Sequence, residues 1–159
     1  MQRSVKAAKE GLNAVINLAR ATGRKSHYLH ISAKEEAEML KMDKPSNLTV
    51  GVTPNHLTFS WRDYERLGQT MKVNPPIRGE AHRKALIDAL KSGLIDNIET
   101  DHAPHLMEEK MLDFKQAPAG LPGLDTLVPA TLTLAKQNSI GLVFLSRLLS
   151  GNPASIVGL

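Results

Sequence analysis

The sequence has no cysteine, few aromatic residues and no long apolar run, and each absence excludes a class of site or partner. Without cysteine the chain forms neither disulfides nor thiolate metal sites, which fits a cytoplasmic protein. Aromatic residues make up 4% of the chain, too few for a surface that stacks single-stranded nucleic acid. No apolar run could cross a membrane, and the first residues lack the apolar core of a secretory signal. We therefore expect no membrane association, no nucleic-acid partner and a cytoplasmic location.

The composition supplies enough apolar material for one folded domain. The chain has 159 residues, of which 42% are hydrophobic, so residues 1–159 can bury a core as a single domain. The formal net charge of +4 comes from lysine and arginine residues scattered along the chain. This mild, dispersed basicity is compatible with a small anionic ligand.

Apolar periodicity predicts helices that alternate with short strands. Ser32 is expected to cap the second helix, with Glu35 completing a capping box. Pro129 fits only in the first turn of a helix, so the helix that follows the Pro- and Gly-rich loop 103–123 should begin near Thr126. The pattern predicts helices over 3–22, 32–42, 80–92, from about 126, over 140–149 and from 152, a helical turn over 61–67, an extended segment over 72–76, and strands over 28–31, 48–52 and 94–98.

Strands that alternate with helices form a parallel sheet with right-handed crossovers, so the predicted fold class is α/β. Three parallel strands alone would leave two apolar edges open, and a complete TIM (β/α)8 barrel takes about 250 residues. The chain begins on a helix and stops at Gly158-Leu159, where a new element starts. We therefore expect a partial TIM barrel whose remainder is absent from a truncated product or belongs to a separate chain.

The stretch Glu99-Thr100-Asp101-His102-Ala103-Pro104-His105 follows the third predicted strand. Active sites of α/β folds lie at the carboxyl ends of parallel strands, so this acid and these histidines occupy a favoured position. A carboxylate beside imidazoles can bind a metal, move a proton and orient a polar substrate. The alternative is a polar loop with an aspartate cap and two surface histidines.

Further polar residues follow, or lie in, the other strand-end loops, and each has two interpretations. His30 is either a hydrogen-bonded core histidine or a ligand. Asn74, held between Val73 and two prolines, either caps a turn or presents its amide to a ligand. Gly120 and Gly123 either satisfy turn geometry or offer free N–H groups to an anion. The run 108–110 is expected to be a solvated face.

Five segments together resemble dihydroorotases, a family of cyclic amidohydrolases. The similarity covers nearly the whole chain, as far as 152–159, and the TDHAPH segment favours dihydroorotase over the related hydantoinases and allantoinases. The segments, in chain order, are SHYLHISAKE (26–35), GVTPNHL (51–57), KVNPPIR (72–78), TDHAPH (100–105) and APAGLPGLDT (117–126).

The resemblance implies a zinc-dependent TIM barrel that interconverts dihydroorotate and N-carbamoyl-aspartate in pyrimidine biosynthesis. The chain would supply strands six to eight. His30 would be a zinc ligand at the end of the sixth strand. Asp101 would be a ligand at the end of the eighth strand and also the catalytic general base and acid. The residues implied to contact the small anionic substrate are Asn74, His105 and the backbone around Ala119 and Gly120.

The chain also departs from the family pattern. The family's His-x-His pair, its substrate-binding arginine, its bridging lysine or aspartate and its fifth-strand histidine would all precede Met1. Asn55 stands where the family commonly has histidine, and Glu99 is unusually acidic for its position. Two zinc ions are expected in a complete family site, whereas two protein ligands do not complete even one catalytic zinc site.

Two hypotheses follow from these departures. In the first, the chain is a dihydroorotase fragment, inactive alone, that forms a homo-oligomer or associates with the missing barrel half. In the second, it is a non-catalytic barrel remnant that acts as a structural or partner subunit.

Overall fold

Three short parallel strands form an open sheet, and helices pack around it. The computed structural model describes residues 3–159, and the strand order is that of the chain. The strands are β1 (Ser26–Tyr28), β2 (Leu48–Val52) and β3 (Asn97–Ile98). The helices are α1 (Val5–Thr22), α2 (Lys34–Met42), α3 (Pro54–Thr58), α4 (Tyr64–Leu67), α5 (Glu80–Lys91), α6 (Met107–Lys110), α7 (Leu127–Gln137), α8 (Leu142–Ser146) and α9 (Asn152–Val157), with 3-10 turns over Trp61–Asp63 and Gly68–Met71 and a π-helical turn over Arg147–Gly151.

The sheet is parallel throughout, as the alternating pattern predicted. Ser26 pairs with Leu48 between β1 and β2, and Val52 pairs with Ile98 between β2 and β3. The carboxyl ends of all three strands therefore lie at one edge of the sheet, where the candidate site residues follow. Within residues 3–159, no helix is long and apolar enough to cross a membrane.

The predicted second strand is confirmed, but the first and third differ from prediction. β1 lies earlier than the predicted 28–31 because His30 has a left-handed backbone, with φ of 41°, which a strand cannot accommodate. β3 is shorter than the predicted 94–98. The backbone N–H groups of Leu94 and Ile95 donate to the Ala89 carbonyl at the end of α5, so this part of the chain continues the helix end.

Most helices match their predicted positions, with local differences at their ends. α1 begins after Ser4, whose hydroxyl accepts the Ala7 N–H, and it ends at Gly23 in a left-handed conformation. α7 contains Pro129 in its first turn, as predicted. The predicted 140–149 helix divides into α8 and the π-helical turn that leads into α9.

The start of α2 differs from the predicted capping box. The N-cap is Ala33, and the partner carboxylate belongs to Glu36 rather than Glu35. One Glu36 oxygen accepts the Ser32 and Ala33 N–H groups at 3.0 and 2.8 Å, and the other accepts the Tyr28 hydroxyl at 3.1 Å. This buried carboxylate therefore joins β1 to α2 across the loop that contains His30.

The core lies between the sheet and its helices. The strands supply Leu48, Val50 and Val52 of β2, each at most 1% exposed. A smaller apolar cluster of Met71, Val73 and Ile77 supports the segment that carries Asn74. The helices and loops that cover the sheet contribute Leu12, Ile16, Ile31, Leu40, Leu57, Leu86, Leu90, Ile95, Leu134, Leu145 and Leu148.

Candidate functional site

His30 occupies an unusual position at the end of β1. Its left-handed backbone takes it out of the strand ladder, and its N–H donates to Glu99 Oε1 at 2.5 Å. Its Nδ1 atom is buried and has no hydrogen-bond partner among the described residues. Since buried polar atoms are normally paired, an unpaired imidazole nitrogen at a strand end favours the ligand interpretation over a satisfied core histidine.

Asp101 lies at the same edge of the sheet, three residues after β3. Its carboxylate is exposed, and its backbone is also left-handed, with φ of 46°. Within the described part of the chain, only three non-glycine residues have positive φ, and His30 and Asp101 are two of them. Strained backbone persists only where the surroundings impose it, and it is concentrated at functional sites. The two predicted metal ligands thus share a strand edge and a rare conformation.

Asn74 lies near His30 on a segment that a buried histidine supports. Both residues line a cavity of about 520 Å³, together with Arg78. His56 Nε2 lies 3.0 Å from the Pro75 carbonyl, and its Nδ1 lies 2.7 Å from the Thr53 hydroxyl. Burial lowers the pKa of His56 to about 4, so near neutral pH the imidazole is uncharged, donates to the carbonyl and accepts from the hydroxyl.

The segment that follows β2 forms the short helix α3, for which apolar periodicity predicted no element. The Thr53 hydroxyl caps α3 by accepting the His56 N–H, with Pro54 at the first helical position. A threonine followed by proline is a helix-start signal, and it could have predicted this short helix from the sequence.

His105 and Gly120 are in contact at a second position. A side chain at Gly120 would lie 2.5 Å from the Ala103 carbonyl and 3.1 Å from His105 Nε2, and its φ of 146° is one that other residues rarely adopt. Both residues line a separate cavity of about 320 Å³. Asp101 and Ala119 line neither cavity. The predicted site residues therefore do not share one pocket: His30 and Asn74 line the first cavity, and His105 and Gly120 line the second.

The free N–H groups proposed at Gly120 and Gly123 are not free. The Gly120 N–H donates to the Lys72 carbonyl at 2.9 Å, and the Gly123 N–H donates to His102 Nδ1 at 3.0 Å. The anion interpretation of these glycines is wrong for this reason. Both support turn geometry, since a side chain at Gly123 would also overlap the Thr100 carbonyl.

The expectation of a solvated face over 108–110 is wrong for Lys110. Its side chain is buried, with only 5% of the residue exposed, and its ammonium contacts three backbone carbonyls. Nothing in the local sequence distinguishes this lysine from its exposed neighbours, because all three acceptors belong to other segments.

Sequence reasoning also missed the role of Glu99. Its Oε2 lies 3.2 Å from His27 Nε2, and His27 Nδ1 lies 2.8 Å from the Thr49 hydroxyl. The carboxylate packs against Gly51 of β2, where any side chain would overlap it. Gly51 was the available signal, because a glycine inside a strand often marks a close approach of another group.

The residues present fit a metal only in part. The unpaired Nδ1 of His30 and the exposed carboxylate of Asp101 are both suitable zinc donors. Among residues 3–159, however, no three side chains of the types His, Cys, Asp and Glu lie close enough together to hold a metal ion. A catalytic zinc needs three protein ligands, so at least one further ligand is required.

Known proteins resemble this chain in both sequence and structure. A dihydroorotase from Methanosarcina mazei is 42% identical over 145 residues, which cover 86% of this chain and 32% of that protein. A dihydroorotase from Aquifex aeolicus is 37% identical over 157 residues, covering 97% of this chain and 36% of the relative. No protein-family model matches the chain.

The structural neighbours include both hydantoinases and a dihydroorotase. An L-hydantoinase (dihydropyrimidinase) from Arthrobacter aurescens superposes with a TM-score of 0.91 at 27% identity, covering 98% of this chain and 36% of that structure. A dihydroorotase from Saccharomyces cerevisiae, solved with 5-fluoroorotic acid, shares the fold with a TM-score of 0.81 at 19% identity, covering 93% of this chain and 42% of that structure.

These comparisons confirm the resemblance that the five segments predicted. The chain spans about a third of the length of the curated relatives it matches. Over the matched stretch, this chain is a relative of the dihydroorotases, within the cyclic amidohydrolases.

Proposed function

We propose that this chain carries part of the active site of a zinc-dependent dihydroorotase, which interconverts dihydroorotate and N-carbamoyl-aspartate. The observation that carries the proposal is the shared geometry of His30 and Asp101. Each follows a parallel strand at the same sheet edge, and each has a left-handed backbone. The homology to dihydroorotases supports the choice of reaction.

The open sheet is proposed to be strands six to eight of a TIM barrel. Its relatives are about three times as long as the matched stretch, so polypeptide outside this sequence would supply the other strands. That polypeptide would also supply the ligands that His30 and Asp101 lack. The edges of β1 and β3 are the surfaces that adjoining strands would cover.

Asp101 is proposed to be the general base and acid. A zinc ion held with the help of His30 and Asp101 would lower the pKa of a bound water to about 7. The Asp101 carboxylate takes the proton from the attacking water as the new C–O bond forms at the ring carbonyl. It returns that proton to the ring nitrogen as the C–N bond breaks, which leaves the carbamoyl product.

Asn74 and His105 are proposed to hold the substrate. The Asn74 amide offers both donors and an acceptor, and the His105 imidazole offers a donor to an anionic oxygen. Gly120 is proposed to contribute shape, because its N–H and carbonyl are both engaged within the protein. Ala119 would approach the substrate from the same segment.

Recombining the barrel tests this proposal. The chain would be mixed with the upstream segment of the Methanosarcina mazei dihydroorotase and zinc, and turnover followed by the loss of dihydroorotate absorbance. Asp101→Asn should abolish turnover, because an amide cannot accept the proton and is a poor zinc ligand. Asp125→Asn, at another exposed aspartate, is the control and should retain wild-type turnover. Undiminished turnover in Asp101→Asn would refute the assigned chemistry.

The alternative of a non-catalytic partner subunit has one supporting observation, the incomplete ligand set within residues 3–159. Recombination distinguishes the two functions. A mixture that forms a stable complex with zinc present yet shows no turnover would favour the partner subunit.

A further inference from the structure

We propose that Lys110 is a positioning residue that fixes the two substrate-facing segments, 72–74 and 118–120, relative to each other. The substrate-facing role of these segments rests on the proposed function. The positioning itself rests on the contacts of one buried ammonium group.

The Lys110 ammonium uses all three of its donors on backbone carbonyls. Nζ lies 3.1 Å from the Lys72 carbonyl, 3.0 Å from that of Pro118 and 2.9 Å from that of Gly120. Among the described residues, no carboxylate lies within ion-pair distance of Nζ. The charge is therefore stabilised by carbonyl dipoles alone, which hold it only while the three carbonyls converge.

The three acceptors belong to two separate segments of chain. Lys72 lies two residues before Asn74, whereas Pro118 and Gly120 flank Ala119. The Lys72 carbonyl also accepts the Gly120 N–H at 2.9 Å, so a side chain and a backbone group reinforce the same junction. Moving either segment would break bonds to a buried charge, which makes the junction stiff.

The Lys72 side chain provides a second attachment for segment 107–117. A positioning role of Lys110 can therefore be tested without detaching that segment. The Lys72 ammonium donates to the carbonyls of Phe114 and Ala117 at 2.6 Å each. The loop over 107–117 should therefore stay attached when Lys110 is removed, while the Gly120 end loses its restraint. Burial and the nearby Lys72 charge both lower the pKa of Lys110, in keeping with a charge held in a confined space.

Hydrogen exchange of the 15N-labelled 159-residue chain tests the proposal. In Lys110→Met the Gly120 amide should exchange at least about tenfold faster than in wild type, while amides of β2 keep their rates. Lys110→Arg retains a charged donor and should recover part of the protection. Lys115→Met, at an exposed lysine of the same loop, is the matched control and should match wild type.

Each outcome decides the proposal. An unchanged Gly120 rate in Lys110→Met would overturn it. If the exchange rates of Gly120 and of the β2 amides rose equally in Lys110→Met, Lys110 would have a structural role only, and the proposal would be overturned. The exception is the case in which Lys110→Arg changes the exchange rate of Gly120 alone. A selective rise at Gly120 supports it.

Titrating dihydroorotate into the labelled chain after recombination with the upstream segment and zinc keeps the two proposals distinguishable. Shifts at the Asn74 side-chain amide that occur in wild type and are lost in Lys110→Met link the junction to the substrate. Wild-type shifts that persist in Lys110→Met would refute that link. Wild-type amides that do not respond would count against the proposed function, while the exchange result would still decide the positioning.

Discussion

At the scale of single residues, His56 makes stability depend on pH. Its pKa of about 4 in the folded chain lies below the ordinary value of 6.5 because the imidazole is buried. As the pH falls below 6.5, the unfolded chain binds the proton first. The stability from the neutral imidazole is therefore complete above pH 6.5 and is lost progressively as the pH falls to about 4.

We expect protonation of His56 to lower the free energy of unfolding by roughly 3 kcal/mol as the pH falls from about 7 to about 4. Urea denaturation across that range measures the loss. Because carboxylates titrate there too, the informative quantity is the difference between wild type and His56→Gln. The variant should be less stable near neutral pH but show a shallower pH dependence. Parallel pH profiles for the two proteins would contradict the assignment.

Gly51 and Glu99 pack against each other close to His30, which follows the carboxyl end of β1. A methyl group at Gly51 would overlap the Glu99 carboxylate, which holds the His30 N–H and His27. We expect Gly51→Ala to lower the unfolding free energy by about 1–3 kcal/mol in wild type, and by clearly less in a Glu99→Ala background. Chemical denaturation of the double-mutant cycle measures this coupling.

Gly151 provides the control for this cycle. It has φ of −60° in the helical region, and nothing lies within 4 Å of an added methyl group. Gly151→Ala should therefore stabilise the chain by about 0.4–1 kcal/mol. Equal costs for Gly51→Ala in the two backgrounds would show that the carboxylate does not occupy the space beside β2.

At the scale of elements, local patterns predicted most helices and the parallel sheet well but strand ends poorly. β2 and α5 follow from apolar periodicity because their own residues decide them. The position of β1 depends on Glu99, which is 69 residues from His30 and replaces a strand partner for its N–H. The ammonium of Lys110 likewise depends on acceptors from distant segments. Such contacts leave no periodic pattern in the sequence. The candidate residues that follow the strands, His30 and Asp101, could therefore be predicted, whereas the supporting contacts of Glu99 and Lys110 could not.

The junction between β1 and α2 gives the element-scale prediction. Glu36 is buried and accepts two backbone N–H groups and the Tyr28 hydroxyl. Glu36→Ala should lower the unfolding free energy by about 3 kcal/mol or more, because it leaves these donors unpaired. Glu36→Gln keeps one acceptor oxygen and should cost about 1–2 kcal/mol. Thermal and chemical denaturation would measure both, and equal costs would show that packing, rather than the acceptor, matters.

At the scale of the whole molecule, the open sheet and the incomplete ligand set belong together. β1 and β3 each pair with only β2 in the described structure, so both sheet edges are open. The candidate metal donors follow the carboxyl ends of these two edge strands, His30 after β1 and Asp101 after β3. Any polypeptide that closed the sheet by pairing with β1 or β3 would therefore lie next to the strand ends where further ligands are needed.

This arrangement predicts weak, low-stoichiometry zinc binding by the isolated chain. With His30 and Asp101 as its donors, the chain should hold at most one zinc ion, with water completing the coordination shell. In equilibrium dialysis at equal micromolar concentrations of chain and zinc, most of the metal should stay free. His30→Ala and Asp101→Asn should each remove the residual binding, whereas Asp125→Asn should not. Two tightly held zinc ions per chain would contradict the prediction, because the described residues contain no group of three such donors.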